Sequence, residues 1–490
     1  VAPVLTINFA DVHTSYGLGL IFSQYVGEWA DDINVKYYNA VDAVIQDNNY
    51  TPSSHEFFVE QTVMDWKKIV ITFNGTNKNY RYLRLERVDY GKVIHFTGGD
   101  IKSCVVVDEI EPVGITLPIG TLDLTLFSSD ATFNIIDPTG DFFQLKNRQP
   151  LDVYELVDSQ KIFMGQFFLE SWEQSSDTEI TFKAIDLIGV LDSIPYLGCI
   201  KGQGAILAGD MIAEILDPLS IPYVLDPYMI TFGVRGWIPI CTVREAIQQV
   251  AFCITNISAV VSVVPTCSRS ARINFRVVPL ASNLSTFDFE ITKAEKGMSS
   301  KLTLLPLVTG VEITSHEFSS GATGVEVYNS NLDIGDHTII LNKPMSNFSI
   351  SGSAGATITS SGANYVNINV PAFGNVTITG DEYLDTKTVH GVYNLTLDPN
   401  VKPNIIKIEN ATLIGANLVP NKTTHVYNYY QQRYLQKMKL YAPTVATGNT
   451  ARIETILNAR VVTLIEKMSM DLAGGFVCEV EANGIVFVEA

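Results

Sequence analysis

Positive charge is what the sequence has least of for its size: 33 lysines and arginines stand against 52 aspartates and glutamates, a formal net charge of −19 over 490 residues. A surface that grips a nucleic-acid backbone needs lysine and arginine, so phosphate binding is not expected of the chain, although DNA can slide past an acidic wall without sticking. Long hydrophobic runs are absent. No window approaches the ~18 apolar residues of a membrane helix, and VAPVLTINFADVHTS lacks the basic-then-apolar order of a secretion signal, so secretion is not expected. The six cysteines, Cys104, Cys199, Cys241, Cys253, Cys267 and Cys478, are widely spaced without a C-x-x-C pair. They read as reduced, mostly buried small hydrophobes.

Reactive constellations are equally scarce. The seven histidines, His13, His55, His95, His316, His337, His390 and His425, stand singly; His316-Glu317 begins a zincin pattern, but Ser320 occupies the place of its second histidine. Gly202-Gln203-Gly204 precedes a helical pattern, yet Leu207 stands where a dinucleotide loop needs glycine, which predicts a tight turn into the helix. No Walker lysine and no G-x-S-x-G elbow are found. Glu170, Glu173, Asp381 and Glu382 are the carboxylates that could be cast as a glycosidase pair, but nothing in the sequence separates them from solvated turn residues. No catalytic residue, metal or cofactor is expected.

What the sequence does have is short β-patterned runs in a composition that is 46% hydrophobic and 17% charged, enough for two to four packed cores. In TLDLTLF, Leu122, Leu124 and Leu126 alternate with Thr121, Asp123 and Thr125, and the period returns at Phe133 and Ile135 and at Ile180, Phe182 and Ala184. Turn signals at Asp137-Pro138-Thr139-Gly140, Asn147-Arg148, Asp158-Ser159 and Ser175-Ser176-Asp177 predict a small antiparallel barrel or sandwich. Two helices interrupt the β-pattern. Ala208, Met211, Ile212 and Ile215 share one helical face that Pro218 ends, and Thr242-Val243-Arg244-Glu245 fits a capping box ahead of the stripe Val243, Ala246, Ile247, Val250, Ala251. Strands SAVVSVVP and ARINFRVVPL follow. Residues 284–420 are again β-patterned, with SGSAGATITSSGANYVNINVP the most Ser/Gly-laden part. THVYNYYQQRYLQKMKLY reads as a helix with Tyr427, Tyr430, Tyr434, Met438 and Tyr441 at steps of three and four, and three strands with a Gly-Gly turn come after it.

At the N-terminal end, VLTINF, HEFFVEQ, KKIVITFNG, YRYLRLERVDYG and KVIHFTGG read as the strands of an autonomous β-domain. The order DWKKIVITFNGTNKNYRYLRLERVDYG resembles the last strands of discoidin-like carbohydrate-binding sandwiches. That resemblance implies an aromatic and cationic face made by Trp66, Tyr80, Arg81, Tyr82 and Arg84, open to a cell-surface glycan or a neighbouring subunit. Packing of Trp66 and the tyrosines on a half-buried sheet is the alternative.

A second resemblance covers more of the chain. An IDP turn, the strands QPLDVYE and GQFFLESWE, a strand ending in KAIDLIGVLD and an aromatic-Gly pair follow one another. Further on come a helix with Ala251-Phe252 and a strand, then Gly448 to Thr455, then Asp471, Leu472, Gly474, Gly475 and Phe476. In this order the segments resemble the tail-hub, or baseplate-hub, proteins of bacteriophages and phage-like particles. The resemblance implies a mainly β fold with an α/β insert: an N-terminal β-sandwich over 1–110, a first hub β-barrel over 111–195, the insert over 196–283, the start of a second barrel over 284–310, a β-rich insert over 311–370, and the rest of the second barrel with its Tyr-rich helix over 371–490. It further implies a structural protein without enzymatic activity, a homotrimer whose ring adapts a six-fold tail tube or distal tail protein above to a three-fold spike, fibre or tape-measure protein below. DNA passes through it unbound, and its place is the virion tail tip after synthesis in the host bacterial cytoplasm. A carbohydrate-binding adhesin and a polysaccharide-degrading tail enzyme are the other readings.

Overall fold

The computed structural model describes residues 2–487 except 24–26, 92–93, 128–146, 158–159, 257–260, 281–285, 298–299, 398–399, 442–443, 456–458 and 476. The chain divides into two compact units, Val1–Gly99 and Asp100–Ala490.

In the first unit, strands Val4–Ser15, Val63–Gly75, Asp32–Tyr38 and Val44–Tyr50 form an antiparallel sheet in that order, and Glu56–Val59, Leu18–Phe22 and Leu85–Tyr90 form a second. The two-residue period sets which side chains face the other layer. Ile33, Val35 and Tyr37 on one strand and Ile69, Ile71 and Phe73 on its neighbour share a core with Leu18, Leu20 and Phe22. This is a two-layer β-sandwich. The strand read from YRYLRLERVDYG begins only at Leu85, because Tyr80 sits in a turn at φ +60°. Among the described residues, KVIHFTGG contributes no strand.

The second unit brings together segments that are remote in sequence. Strands Ile101–Glu109, Thr121–Phe127, Pro150–Val157, Gln160–Ser176 and Glu179–Ile185 are antiparallel neighbours. Leu122, Leu124 and Leu126 are buried, opposite Ala184, Phe182 and Ile180, as their alternation requires. Phe133, Ile135 and the turns at 137–140 and 158–159 lie outside the described residues. Strands Lys301–Leu304, Tyr434–Tyr441, Val477–Phe487, Arg460–Asp471, Thr450–Glu454 and Phe289–Ile291 make a second set.

The expectation of two closed hub barrels needs correction here. Among the described residues the two sets form one open eleven-stranded sheet. The reason is edge pairing. The strand Ile101–Glu109 bonds Thr121–Phe127 on one side and, through Val105–Glu109, Lys467–Asp471 on the other. Its second edge is therefore committed to the remote segment and is not available to close a barrel locally.

The α/β insert follows its sequence signals. Helix α1 is the short Leu187–Leu191. Helix α2, Ala208–Leu216, buries Ala208, Met211, Ile212 and Ile215, and a 3₁₀ turn over Asp217–Leu219 ends it at Pro218. Helix α3, Val243–Cys253, has the full capping box: the Glu245 N–H donates to Thr242 Oγ1 at 3.2 Å, and the Thr242 N–H donates to Glu245 Oε2 at 2.9 Å. Gly202-Gln203-Gly204 differs from expectation. It lies within the strand Cys199–Leu207, and α2 starts directly from extended Leu207.

The Tyr-rich helix is shorter than its pattern predicts. Helix α4, Val419–Tyr430, ends before Tyr434, and Tyr434–Tyr441 is a strand. In that strand Gln436, Met438 and Leu440 are buried while Lys437 and Tyr441 face out, which is period two rather than 3.6. The Met438–Tyr441 half of the stripe is thus a strand alternation.

A small sandwich projects from a third sheet. The 20-residue strand Gly374–Tyr393 pairs Gly310–Ser320 with its second half. Its first half joins Val325–Leu332 and Met345–Gly352. Against these pack Gly335–Ile340, Tyr365–Val370 and Thr357–Gly362, around Val366, Ile368, Val370, Val376 and Ile378. Asn364 fastens this sandwich to the α/β insert. Its Oδ1 accepts from Trp237 Nε1 at 2.7 Å, and its Nδ2 donates to the Leu197 and Ile238 carbonyls at 3.0 and 3.1 Å. Gly198, at φ +73°, makes room: a Cβ there would fall 2.1 Å from Asn364 Nδ2. Replacing Asn364, itself fully buried, with Ala removes the acceptor of the Trp237 indole N–H and one donor to each of the Leu197 and Ile238 carbonyls. We expect a loss of about 2 kcal/mol in urea unfolding; an unchanged midpoint would show that the latch contributes nothing.

Candidate functional site

Helix α4 packs on the strands Gly310–Ser320 and Gly374–Tyr393 and reaches the seam where residues 101–113 meet 460–471 through Lys422 and Tyr429, and the sequence puts polar groups on its buried face. Val419, Lys422, Thr423 and Val426 fall at helical steps of three and four, so a lysine occupies a core position. Lys422 is fully buried. Its Nζ donates to the Val113 carbonyl at 2.7 Å and lies 4.5 Å from the centre of the Phe252 ring. Burial pulls its pKa down to about 8, against the charge of Glu111, which holds it up. Burial raises the Glu111 carboxyl, against hydrogen bonds from the Ile115 and Val113 N–H groups and the Lys422 charge.

Glu466 lies on the other strand of the seam, at a register shift between Ile465 and Lys467. Such a bulge re-aims a side chain. Burial pushes Glu466 up to about 8, while hydrogen bonds with Tyr429 and Asn483 oppose that rise. Burial also keeps the Tyr429 phenol protonated, its pKa well above the usual tyrosine value. His425 Nε2 lies 2.6 Å from Ser262 Oγ. Burial and the Lys422 charge bring the imidazole down to about 3, so it is neutral. Ser262 and His425 are 1% and 4% exposed. The pair resembles a nucleophile and its base, but no substrate reaches it, and its consequence is positional. The cluster thus ties α4 to α3 through the Lys422–Phe252 contact and to both segments of the large sheet through hydrogen bonds at Val113 and Glu466.

Asp186 is a second buried carboxyl in this unit. Its Oδ1 accepts from the Gly189 N–H and its Oδ2 from the Gly120 N–H, both at 2.9 Å, so it caps α1 and fixes the turn before Thr121–Phe127. Burial raises it to about 7. Asp ahead of a short apolar run was its sequence signal. The signal for Lys422 was its place within the α4 stripe.

The residues read as an aromatic and cationic face do not all lie together. Trp66 is 1% exposed, donates from Nε1 to Ser15 Oγ at 3.1 Å, and meets Phe9 edge-on and Tyr90 stacked. It belongs to the sandwich core. Tyr80 and Tyr82 are fully exposed, or nearly so, on the segment before Leu85–Tyr90. Arg81, 3.6 Å from Glu28, and Arg84 are exposed there too. The carboxylates considered as an acid pair have ordinary partners. Glu173 pairs with Lys183 at 3.3 Å, Glu382 pairs with Lys343, and Asp381 is held below the usual carboxylate range by Asn347 and the Gly324 N–H. Glu170 is exposed. His316 bridges three strands, Nδ1 lying 2.9 Å from Asp385 and Nε2 2.9 Å from the Glu409 carbonyl. Among the described residues no group of three or more His, Cys, Asp or Glu is placed to hold a metal ion, and the six cysteines are free.

No protein-family model and no curated protein matches the sequence. Among solved structures, the chain is similar to the tail protein from Neisseria meningitidis MC58, with 11% identity over 78% of this chain and 96% of that one and a TM-score of 0.45. It is similar to the 43 kDa tail protein of prophage MuSo2 from Shewanella oneidensis, with 9% identity over 78% and 93% of the two chains and a TM-score of 0.44. It is also similar to the prophage tail protein gp18 from Listeria monocytogenes EGD-e, with 8% identity over 81% and 91% and a TM-score of 0.42.

Proposed function

We propose that the protein is a structural hub of a phage or phage-like tail, assembling as a homotrimeric ring between a six-fold tube and a three-fold spike or fibre. One observation carries this reading. The strands among the segments that resemble hub proteins come from two distant parts of the chain and fall on one sheet, while the match at Ala251-Phe252 lies in α3. QPLDVYE and GQFFLESWE lie in Pro150–Val157 and Gln160–Ser176. KAIDLIGVLD spans the end of Glu179–Ile185 and α1, and the later matches lie in Thr450–Glu454 and at the turn after Asp471. A sheet assembled from both segments, with a buried polar lock beneath it, suits a part that transmits load rather than one that turns over substrate.

In this reading three copies give six related sheet halves, which meet a six-fold partner on one side and a three-fold partner on the other. The charge of −19 gives the ring an acidic channel that repels DNA phosphates and lets the genome pass. The experiment is the solution mass of the purified chain by light scattering across a concentration series. A trimer, three times the 53.9 kDa chain, is expected. A monomer at every concentration would count against the ring.

A second role rests on the exposed Tyr80 and Tyr82 beside Arg81 and Arg84. Aromatic surfaces of this kind suit a cell-surface glycan or the next subunit. Replacing both tyrosines with Ser should weaken one of these contacts and leave the sandwich, whose core they do not enter, as stable as before. An unchanged glycan affinity together with an unchanged oligomer would remove the loop from the account.

A further inference from the structure

The small sandwich has an outer face whose chemistry differs from the rest of this acidic chain. In Tyr365–Val370 the inward side chains Val366, Ile368 and Val370 fill the core, so Tyr365, Asn367 and Asn369 point outward. Cross-strand pairing then builds rungs. Asp336, Asn369 and Thr357 lie side by side, as do Thr338, Asn367 and Ser360. Asn369 Nδ2 donates to Asp336 Oδ1 at 2.8 Å, Thr338 Oγ1 donates to Asn367 Oδ1 at 2.7 Å, and Asn367 Nδ2 donates to Ser360 Oγ at 2.9 Å. In the third rung the Tyr365 ring covers Gly362, where a Cβ would come within 2.5 Å of it. The glycine lets the ring lie down on the sheet.

We propose that this face binds a neutral oligosaccharide. Sugar hydroxyls both donate and accept, and the amides, hydroxyls and single carboxylate of the two polar rungs do the same. The apolar C–H side of a pyranose stacks on a flat aromatic ring, and Tyr365 supplies one at the end of the ladder. The side chains already hold one another through the cross-strand hydrogen bonds, so little rotamer freedom is lost on binding. The three rungs carry one carboxylate and no lysine or arginine, which disfavours an acidic polymer. Four residues of extended strand span ~14 Å, long enough for several sugars rather than one. The proposal does not depend on the oligomeric state of the chain, nor on the tyrosines near Arg81.

The test is native affinity electrophoresis of the purified chain in gels cast with neutral polysaccharides, namely dextran, glucomannan and soluble starch, beside gels with alginate and heparin. At least one neutral polysaccharide should slow the protein. Tyr365→Ala and, separately, Asn367→Ala should cut that retardation at least five-fold, whereas Tyr365→Phe should keep it. Having Asn367→Ala as a second variant guards against a Tyr365 change that disturbs the neighbouring Asn364 latch. No retardation in any neutral gel, retardation by the acidic polymers alone, or full retardation of both alanine variants would each overturn the proposal.

Discussion

Replacing Glu466 with Gln is expected to leave stability near pH 4 almost unchanged and to raise it by about 4 kcal/mol at pH 8, read from urea unfolding at each pH. The sign follows from linkage. Burial raises the folded-state pKa of Glu466 from 4.5 to about 8, so between those values the unfolded chain releases a proton that the folded chain keeps, and stability falls as pH rises. One pKa unit is worth about 1.4 kcal/mol, and because Glu466 is partly exposed, solvent screening takes away some of the ~5 kcal/mol that the full shift would give. Gln carries no proton to lose and can still bond Tyr429 and Asn483. Asp186, raised to about 7, adds a parallel decline above pH 3.8 that is common to both proteins and cancels in the comparison. His425, lowered to about 3, acts in the opposite sense, its contribution being lost as pH falls from 6.5. A difference between the Glu466→Gln variant and the wild-type chain that does not grow with pH would mean that Glu466 is not held neutral in the fold.

The second large effect is at Lys422. Replacing it with Met should cost about 2–3 kcal/mol at pH 7, because the Val113 carbonyl loses a charged donor and the partly buried Glu111 carboxyl loses the cation that favours its charged form. Adding Glu111→Gln should recover part of the loss, since Gln has no charged form that needs the lysine nearby. If the double variant is less stable than Lys422→Met by the full cost of Glu111→Gln alone, the two side chains are energetically independent. The seam would then owe its stability to strand pairing and apolar packing.

Features governed by neighbours in sequence were legible before the structure. The capping box at Thr242, the stop at Pro218 and the alternation of Leu122, Leu124 and Leu126 all depend on local geometry and lie where the pattern puts them. The mainly β character and the α/β insert follow from such signals. What was not legible is which strand edges meet. Nothing within Val105–Glu109 announces that its partner is Lys467–Asp471, more than 350 residues away, because edge pairing is a tertiary choice between similar hydrogen-bonding surfaces. Trp66 shows a related limit. Aromatic residues serve cores and surfaces equally, and only the bond to Ser15 and the stacked Tyr90 tell which. The segment Tyr434–Tyr441 fits a helical stripe and a strand alternation at once, and pairing with Val477–Gly484 decides it. Lys422 was legible in principle, but a lysine on a buried stripe is uncommon enough to be passed over.

Electron micrographs of the purified chain, classified without imposed symmetry, test the central claim most directly. The account predicts closed rings with three-fold symmetry and an open centre. Isolated single-chain particles, or rings of any other symmetry, would contradict it.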